Sequence, residues 1–461
     1  MGRRNLDHVD DAGAADLARV EKALESRFPT RMVPDLDRIV DLLDLLGSPQ
    51  RAYPSIHITG TNGKTTTARM IDALLRGFGV RTGRYTSPHL ESVVERIALD
   101  GRPIDAERFA AAYDDIAPYV DLVDARHPDR MTFFELLTAM AFATFADAPV
   151  DVGVIEVGLG GRWDATNVID APVAVVMPIG LDHVGLLGDT VEAIAAEKAG
   201  IVHAGALLVT GPQPEGAGRV LANHAAGVGA TLLQAGRDFG VRGRSVAIGG
   251  QLLDLEGLGG RYDEVFLPLH GAHQAGNAVC ALAAVEAFFG VRDGGRGPLD
   301  PDVVRAAFAA VTSPGRLEVV RRAPTVMLDG AHNPAGAAAL AAALDEAFTF
   351  DRLVAVVALL DDKDAVGLLA ELGPVVSKVV VTTNSSPRAL PAQALATVAR
   401  SVLGDDRVEV AERLDDAIER AIAIAEEPDD GGGIAGGGVL ITGSIVTVGD
   451  ARQLLVAGSR P

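Results

Sequence analysis

The feature that most constrains this chain is a glycine loop between a short apolar run and a helical pattern. Residues 58–67 read I-T-G-T-N-G-K-T-T-T, and an amphipathic stretch opens at 66–78. In such a setting the backbone N–H groups at a helix start and a lysine side chain hold phosphates. Gly60 and Gly63 allow close approach of the backbone, and Lys64 supplies a cation. The loop therefore predicts an α/β unit that binds a nucleoside triphosphate; the alternative is a glycine turn before an ordinary helix.

The spacing of this loop departs from the common phosphate-binding motif. That motif, G-x-x-x-x-G-K-[ST], requires glycine at position 58, where this chain has Ile58. The compact form T-G-T-N-G-K-T instead resembles the phosphate loop of the ATP-dependent amide ligases, which include the Mur ligases and the folylpolyglutamate/dihydrofolate synthases.

Composition excludes several classes of protein. A chain of 461 residues predicts two or three domains, and a formal net charge of −21 argues against a nucleic-acid partner, which needs a basic surface. The single cysteine, Cys280, excludes disulfides within the chain and is interpreted as a small buried hydrophobe. No apolar run reaches the roughly 18 residues of a membrane span. Residues 1–16 are polar and acidic without a signal segment, which predicts a cytoplasmic protein that contacts no membrane.

The N-terminal two thirds of the chain alternates helical patterns with continuous apolar runs. Such runs fit strands that are buried on both faces of a parallel sheet. Strands are predicted at 151–159 and 173–179. Helices are predicted at 16–28, 36–46, 132–146, 190–199 and 273–289. Thr132 and Glu135 form a capping-box pattern at one helix start. The elements of 211–260 cannot be ordered from the pattern.

A second α/β array follows two stretches rich in helix breakers, 292–300 and 313–315. Its strands are predicted at 325–328, 353–360, 379–383 and 439–442, and its helices at 334–348, 391–403 and 414–425, with a flexible loop at 431–438. We therefore predict the α/β class, with two domains. Residues 1–312 form a P-loop-type ATPase domain with a mostly parallel sheet, and residues 313–461 form a doubly wound, Rossmann-like domain.

Polar residues follow several of the predicted strands, at the edge of the sheet where ligands bind. Glu156 lies near the end of a buried strand, where a carboxylate can bind magnesium or orient water; the alternative is an acid that caps a helix. His183 is predicted to end the neighbouring strand, as a ligand or as a structural histidine. Lys198 lies late in a helix, where a lysine can also simply complement the helix dipole.

The second array repeats this arrangement. Residues 328–334 read L-D-G-A-H-N-P, a strand followed by a polar turn and a helix start, so Asp329, His332 and Asn333 lie at the edge of the sheet. Gly443 and Ser444 follow the strand at 439–442 in the same way.

These motifs, in this order, identify the chain as a member of the folylpolyglutamate synthase/dihydrofolate synthase family, within the Mur ligase superfamily. The resemblance covers nearly the whole chain. Its elements are G-T-N-G-K at Gly60, T-S-P-H-L at Thr86, E-R-I at Glu95, E-V-G-L-G-G-R-x-D-A-T-N at Glu156, L-D-H at Leu181, E-K-A-G-I at Glu197, H-Q-x-x-N-A at His273, S-P-G-R at Ser313, D-G-A-H-N-P at Asp329, D-K-D at Asp362 and G-S at Gly443.

The resemblance implies binding sites for ATP and for metal ions. The residues that it places on ATP are Gly60, Asn62, Gly63, Lys64, Thr65, Thr66, Asn277, Arg316 and Asp329. It implies that Ser87, Glu156 and His183 bind Mg²⁺. It also implies that Lys198 is carbamylated, which would convert a cation into an oxygen ligand for a second metal. Lys64, His183 and Lys198 are the catalytic candidates, and the implied small-molecule requirements are ATP, Mg²⁺ and K⁺.

The resemblance also implies sites for the two substrates that are joined. Thr132, Phe133 and Phe134, with Arg162, Trp163 and Asp164, resemble a pterin pocket; the aromatic pair can stack on a flat pterin or belong to the core of the domain. His332 and Ser444 lie where the incoming glutamate is expected. Three positions depart from the family pattern: Thr65-Thr66 after the lysine, Trp163 where leucine is usual, and Met177-Pro178 before Asp182.

The implied reaction joins L-glutamate to dihydropteroate or to a reduced folate through an acyl phosphate, and the implied protein is a monomer. Two alternatives stay open. A Mur-type ligase that acts on a UDP-sugar peptide is disfavoured, because no extra N-terminal domain for UDP is recognised. A protein that uses ATP only as a switch is disfavoured by the many implied metal and phosphate ligands. Dihydropteroate addition and polyglutamate extension share nearly all motifs; the bacterial-type pattern favours an enzyme that does both.

Overall fold

The chain folds into two compact units. The structure, a computed structural model, describes residues 6–29, 31, 33–291, 297–427 and 436–456. The first unit comprises residues 1–242, 254–265 and 276–311, and the second comprises 243–253, 266–275 and 312–461. Parts of the predicted breaker stretch 292–300, of the predicted loop 431–438 and of the N-terminal segment 1–16 lie outside the described residues. In the described part of the chain no helix is long and apolar enough to cross a membrane.

An eight-stranded sheet forms the centre of the first unit. Its order is β4-β3-β2-β5-β1-β6-β7-β8. Every neighbouring pair in the row β2-β5-β1-β6-β7-β8 is parallel. At one edge of the sheet, β3 pairs antiparallel with both β2 and β4. The strands are β1 Ser55–Thr59, β2 Thr82–Tyr85, β3 Ile97–Leu99, β4 Arg102–Pro103, β5 Val152–Glu156, β6 Val173–Val176, β7 Leu207–Thr210 and β8 Thr231–Gln234.

Helices cover this sheet and give it two apolar clusters. One cluster includes Leu42, Phe109 and Phe142 from helices near the N-terminus, and the other includes Ile194 and Leu221. The helices are α1 Leu6–Glu25, α2 Asp37–Leu45, α3 Lys64–Gly77, α4 Ala106–Asp124, α5 Phe133–Asp147, α6 Val184–Leu187, α7 Val191–Lys198 and α8 Glu215–Val228, with short 3₁₀ helices at Pro49–Arg51, Val93–Arg96 and Ala199–Ile201.

A three-stranded sheet follows in the chain. Its order is β11-β10-β9. Its strands are β9 Gly240–Ala247, β10 Gly250–Glu256 and β11 Arg261–Leu267, and the next helices are α9 Ala272–Phe288 and α10 Pro301–Ala309.

The second unit contains a six-stranded sheet of order β12-β13-β17-β14-β15-β16. All of its pairs are parallel except β12 with β13, which are antiparallel at the edge. The strands are β12 Glu318–Arg322, β13 Thr325–Leu328, β14 Arg352–Val357, β15 Lys378–Val381, β16 Val408–Val410 and β17 Gly437–Thr442. The helices are α11 Pro334–Ala347, α12 Ala365–Leu372, α13 Ala392–Leu403, α14 Leu414–Ala425 and α15 Ile445–Leu455, with a 3₁₀ helix at Asp405–Arg407.

The predicted fold class is confirmed: a mostly parallel sheet in the N-terminal part of the chain is followed by a second α/β unit. Strand β6 is shorter than predicted, because Pro178 has no N–H with which to continue the ladder beyond Val176. Helix α4 has no counterpart among the predicted helices. Pro118 lies inside it, and an internal proline usually argues against a helix.

The predicted capping box at the start of α5 is present and is linked to a buried ion pair. The backbone N–H of Thr132 donates to Glu135 Oε2 at 2.7 Å, and the Thr132 hydroxyl accepts from the N–H of Glu135. Glu135 Oε1 lies 3.0 Å from Arg38 Nη2 on α2, and both side chains are buried. One carboxylate therefore satisfies a helix terminus and neutralises a buried guanidinium.

Replacing Glu135 with alanine should lower the free energy of unfolding of the first unit by about 3 kcal/mol, because the buried Arg38 would keep only its longer ion pair with Asp35, at 3.6 Å. Urea unfolding followed by the fluorescence of the single tryptophan, Trp163, measures this change. Glu107→Ala, at an exposed first-turn position of α4, is the matched control and should change stability by less than about 1 kcal/mol. Equal stability of the two variants would contradict the role assigned to the ion pair.

Candidate active site

The glycine loop, residues 60–65, leaves the central strand β1 and leads directly into α3. Gly60 and Gly63 have φ angles of 148° and 89°, in the region that favours glycine. A Cβ on Gly60 would lie 2.6 Å from the Cβ of Met177, so no side chain fits there. The loop therefore brings bare backbone to the N-terminus of a 14-residue helix, the geometry that binds phosphates.

Two lysines converge on this loop. Lys64 Nζ donates to the carbonyl oxygens of Gly60 and Thr61 at 2.9 and 3.1 Å. Lys198 Nζ, from the last residue of α7, donates to the same Gly60 carbonyl oxygen at 3.0 Å. The structure thus joins two lysines that are distant in the sequence.

The environment of Lys198 changes its protonation. Burial, with the nearby charge of Lys64, lowers the pKa of Lys198 to about 7, although Asp182, Asp164 and Glu197 oppose the shift. At neutral pH a large fraction of the side chain is therefore a neutral amine, which is a nucleophile, whereas an ordinary surface lysine is almost entirely protonated.

Glu156 connects the end of β5 with the glycine loop. Its Oε1 accepts a hydrogen bond from the Thr65 hydroxyl at 2.8 Å, and its Oε2 accepts from the Ser87 N–H at 3.2 Å. Strands β2 and β5 are paired, so the loop that carries Ser87 begins beside Glu156. A buried carboxylate next to hydroxyl groups is the hard oxygen ligand set that Mg²⁺ prefers. In the described residues no group of three or more His, Cys, Asp and Glu side chains could hold a metal.

His183 lies elsewhere than predicted. It does not end a strand, because β6 stops at Val176, and it follows in a loop at a φ of 50° just before the short helix α6. Its strand is also not adjacent to β5, since β1 lies between them. The His183 N–H donates to Asp182 Oδ1 at 2.9 Å. Its assignment as a metal ligand stays a prediction.

The remaining predicted ATP residues of the first unit lie on or beside the glycine loop. Asn62 is part of its turn, and Thr66 is buried in the first turn of α3. A Cβ on Gly63 would lie 2.5 Å from Asn277 Oδ1, so the α9 side chain touches the loop. The structure therefore brings Asn277 to the same place as Lys64 although more than two hundred residues separate them.

The aromatic pair of the predicted pterin pocket is mostly enclosed. The Phe133 ring is only 8% exposed and stacks on Phe28 at 4.4 Å between centroids. The Phe134 ring packs against Gly158, where a Cβ would lie 2.5 Å from Phe134 Cζ. Phe28 is 60% exposed, so it is the member of this cluster that has aromatic surface available. The sequence pattern predicted Phe28 only as the end of a helix, and no local signal marks it as a candidate residue of the pterin pocket.

The three residues of the other predicted pterin segment have different environments. Arg162 is exposed, and its N–H donates to the Glu197 carbonyl oxygen at 3.0 Å. Trp163 is exposed as well. Asp164 is buried and uses both carboxylate oxygens within its own loop, accepting from the N–H groups of Leu159 and Thr166 at 2.9 and 3.0 Å. Burial raises the pKa of Asp164, and the hydrogen bonds oppose this. Asp164 therefore holds the shape of the loop.

In the second unit the predicted residues lie at the carboxyl ends of β13 and β17. Asp329 accepts from the N–H groups of Leu317 and Ala331 at 2.8 and 2.9 Å; burial raises the pKa of this carboxyl, and the Arg316 charge opposes the shift. His332 Nδ1 lies 2.9 Å from the Gly330 carbonyl oxygen. Ser444 caps α15. Arg316 Nη1 lies beside Gly330, so Arg316 is close to the turn of Asp329 and His332; their roles stay predictions.

Comparisons with known proteins agree with this geometry. A model of the Mur ligase middle domain matches residues 58–285, and a model of the Mur ligase glutamate ligase domain matches residues 315–444. The chain is 53% identical over 459 residues to a dihydrofolate synthase/folylpolyglutamate synthase of Mycobacterium tuberculosis, covering 95% of this chain and 94% of that protein. This chain belongs to the folylpolyglutamate synthase/dihydrofolate synthase family. The predicted family and the predicted enzyme class, a ligase, are thereby confirmed.

Solved structures of folylpolyglutamate synthases have the same fold. The M. tuberculosis folylpolyglutamate synthase, in complexes with ADP and AMPPCP, matches with a TM-score of 0.91 at 53% identity and covers 97% of this chain and 99% of its own. A folylpolyglutamate synthase in a complex with AMPPCP and folate matches with a TM-score of 0.83 at 31% identity and covers 95% of this chain and 99% of its own.

Proposed function

We propose that this chain uses ATP to join L-glutamate to folate-type carboxylates, and that it accepts both dihydropteroate and reduced folates. The observation that carries the proposal is the position of Glu156, which contacts both the glycine loop through Thr65 and the loop of Ser87. The names of the related proteins, which combine the two synthase activities, support the choice of substrates.

The chemistry needs ATP because a carboxylate is a poor electrophile. A carboxylate oxygen of the acceptor attacks the γ-phosphorus, and the bond from that phosphorus to the β,γ-bridging oxygen breaks. ADP is the leaving group, and the acceptor becomes an acyl phosphate. The neutral amine of glutamate then attacks the acyl carbon, phosphate departs and a proton is released. The protein supplies no covalent nucleophile, so most of the rate comes from positioning and from neutralising charge.

The chain's own residues have separate parts in this proposal. The N–H groups at the start of α3 and the Lys64 ammonium hold the phosphates. We also assign Thr66 and Asn277 to the binding of ATP, and the resemblance to the family supports the same assignment for Arg316 and Asp329 of the C-terminal domain. His332 and Ser444 hold the incoming glutamate. Phe133 and Phe134, with the segment 162–164, shape the acceptor pocket.

Magnesium fits the oxygen groups at the end of β5. We assign Mg²⁺ to Ser87 and Glu156, with His183 as a further ligand. We also propose that K⁺ activates the enzyme. When bound, Mg²⁺ neutralises phosphate charge as the γ-phosphoryl group transfers. The carboxylate of Glu156 has its two oxygens oriented by Thr65 and Ser87, which prepares them for this ion.

Lys198 fits the role of a carbamylated lysine. Its buried side chain, with a pKa near 7, provides the neutral amine that attacks CO₂. The N–C bond forms, one proton is released, and the product is an anionic carbamate beside the glycine loop. A carbamate oxygen would serve as a metal ligand where the unmodified ammonium would repel the ion.

Release of ADP tests the proposed function directly. The purified protein is mixed with ATP, Mg²⁺, K⁺ and L-glutamate, and either dihydropteroate or a reduced folate monoglutamate is added. We expect both acceptors to stimulate ADP release and the product to gain one glutamate. Stimulation by the folate alone would restrict the enzyme to chain extension. Stimulation by neither acceptor would refute the proposal, and stimulation by a UDP-linked acceptor would replace it.

A further inference from the structure

Arg96 is a buried arginine whose guanidinium is held by neutral groups. It ends the 3₁₀ helix Val93–Arg96 and is 8% exposed. Its Nε–H donates to His89 Nδ1 at 3.0 Å, and its Cζ lies 5.2 Å from the centroid of the Phe133 ring. The backbone also fixes the residue, because the Arg96 carbonyl oxygen accepts from the Thr86 N–H at 3.0 Å. The guanidinium itself is held by His89, by the Phe133 ring and by a side-chain hydrogen bond with Tyr85.

Within the part of the chain that the structure describes, no carboxylate forms a hydrogen bond or an ion pair with this guanidinium, and Glu156 and Glu95 attract its charge only at longer range. Two other buried arginines of the first unit do have such partners: Arg38 lies 3.0 Å from Glu135, and Arg84 lies 2.9 Å from Asp72. The neighbouring acid, Glu95, directs both oxygens to the N–H groups of its own loop, at 2.9 Å each. Its charge therefore stabilises the loop backbone and forms no ion pair with Arg96. A buried charge without a counter-ion is costly unless a ligand supplies one.

The protonation of His89 follows from the same geometry. An arginine Nε–H can only donate, so His89 Nδ1 must accept, and a neutral His89 carries its proton on Nε2. Both side chains thus present donors and neither presents a negative charge. Burial lowers the pKa of Arg96, while Tyr85, Glu156 and Glu95 oppose the shift, and an arginine stays charged nonetheless.

The cluster lies at the same sheet edge as the glycine loop. Strand β2 ends at Tyr85, which pairs in register with Ile155, the residue before Glu156. The loop from 86 to 96 therefore starts beside the carboxylate that contacts Thr65 of the glycine loop. Phe133, under the Arg96 guanidinium, belongs to the predicted acceptor pocket. Arg96 thus ends a loop that begins beside Glu156, and its guanidinium lies over a ring of the predicted acceptor pocket.

We propose that Arg96 binds the reacting carboxylate of the acceptor and holds it for attack on ATP. This inference rests on the proposed function. The acceptor carboxylate must approach the γ-phosphate, and two anions repel each other unless a fixed cation binds one of them. A guanidinium suits the task because its fork donates to both oxygens of a carboxylate.

A thermodynamic cycle tests this assignment. Binding of dihydropteroate is compared with binding of its decarboxylated analogue, the 6-(anilinomethyl) dihydropterin, by calorimetry with Mg²⁺ and the non-hydrolysable AMPPCP. We expect the wild-type protein to prefer the carboxylate by roughly 10- to 100-fold, the range of a hydrogen-bonded charge. Arg96→Gln should lose most of that preference while it binds the analogue within about threefold of the wild type. Arg102→Gln, an exposed arginine on β4, should keep the preference.

The outcomes separate binding from structure. A preference that is unchanged in Arg96→Gln overturns the proposal, as does equal loss of affinity for both ligands, which would indicate a pterin contact or a structural role. If the wild-type protein binds dihydropteroate and its decarboxylated analogue with equal affinity, the proposal is overturned without any variant. If Arg96→Gln does not fold, Arg96→Met keeps the apolar stem without the charge and is subject to the same criterion.

The proposed function is judged by a different measurement. Absence of acceptor-stimulated ADP release in the wild-type protein refutes the proposed function itself. Normal release together with an unchanged preference in Arg96→Gln refutes only the role of Arg96. In the turnover assay the expected signature of Arg96→Gln is a KM for dihydropteroate raised at least tenfold with the KM for ATP nearly unchanged.

Discussion

Lys64→Ala is expected to abolish turnover, with kcat reduced by on the order of 10³-fold or more. In the structure the Lys64 ammonium is bound to carbonyl oxygens of the glycine loop, at 2.9 and 3.1 Å, and it is therefore already positioned where phosphates would bind. Its charge would oppose the negative charge that builds up during phosphoryl transfer, and alanine offers nothing in its place. Steady-state ADP release with dihydropteroate measures the effect.

Lys22→Ala provides the matched control, because Lys22 lies exposed on α1. This variant should turn over at the wild-type rate. Circular dichroism and thermal unfolding of Lys64→Ala should match the wild-type protein closely, since the loss is one of charge at a partly exposed site. Near-normal turnover by a folded Lys64→Ala would remove the assignment of the glycine loop to ATP.

Lys198→Ala is expected to lose about 100-fold or more in kcat, and short carboxylic acids should restore part of the activity. Alanine leaves a space beside Gly60 where the buried lysine now lies, and formate or acetate could enter it and supply an oxygen anion in place of a carbamate. ADP release is measured at increasing formate and acetate concentrations, with chloride as the salt control. Rescue should saturate and should favour the smaller acid.

Two results would argue against the carbamate. An unimpaired Lys198→Ala would show that the side chain is dispensable. Rescue by ammonium or methylamine in place of the acids would show that the cation, not an oxygen anion, is the functional group. Lys378→Ala, in the second unit with its lysine paired to Glu409, should be neither impaired nor stimulated by the same acids.

The parts of the fold that follow from local pattern were predictable. The glycine loop, the buried strands β5 and β17 and the capping box of Thr132 and Glu135 each depend on residues that are close in sequence, so their periods and spacings predict them. The end of strand β6 after Val176 was harder to predict from the sequence. The apolar run continues through Met177, and only the missing N–H of Pro178 ends the hydrogen-bonded ladder.

The sequence singled out candidate site residues, but it did not predict which of them contact one another. Motifs singled out Lys64, Glu156 and Lys198, yet their contacts come from a strand order in which β1 lies between β5 and β6. The same order separates the segment of His183 from the strand of Glu156, which the sequence order alone suggested were neighbours.

The sequence by itself determined the α/β class, the glycine loop between β1 and α3 and the family, because these are carried by local periodicity and by contiguous motifs. Only the tertiary structure decided the electrostatics. The low pKa of Lys198 requires its burial beside Lys64, and Glu95 forms no direct ion pair with Arg96 because its carboxylate is bound to the N–H groups of its own loop. Charges and solvation depend on which distant groups are brought together and which are kept from water, and no local pattern encodes that.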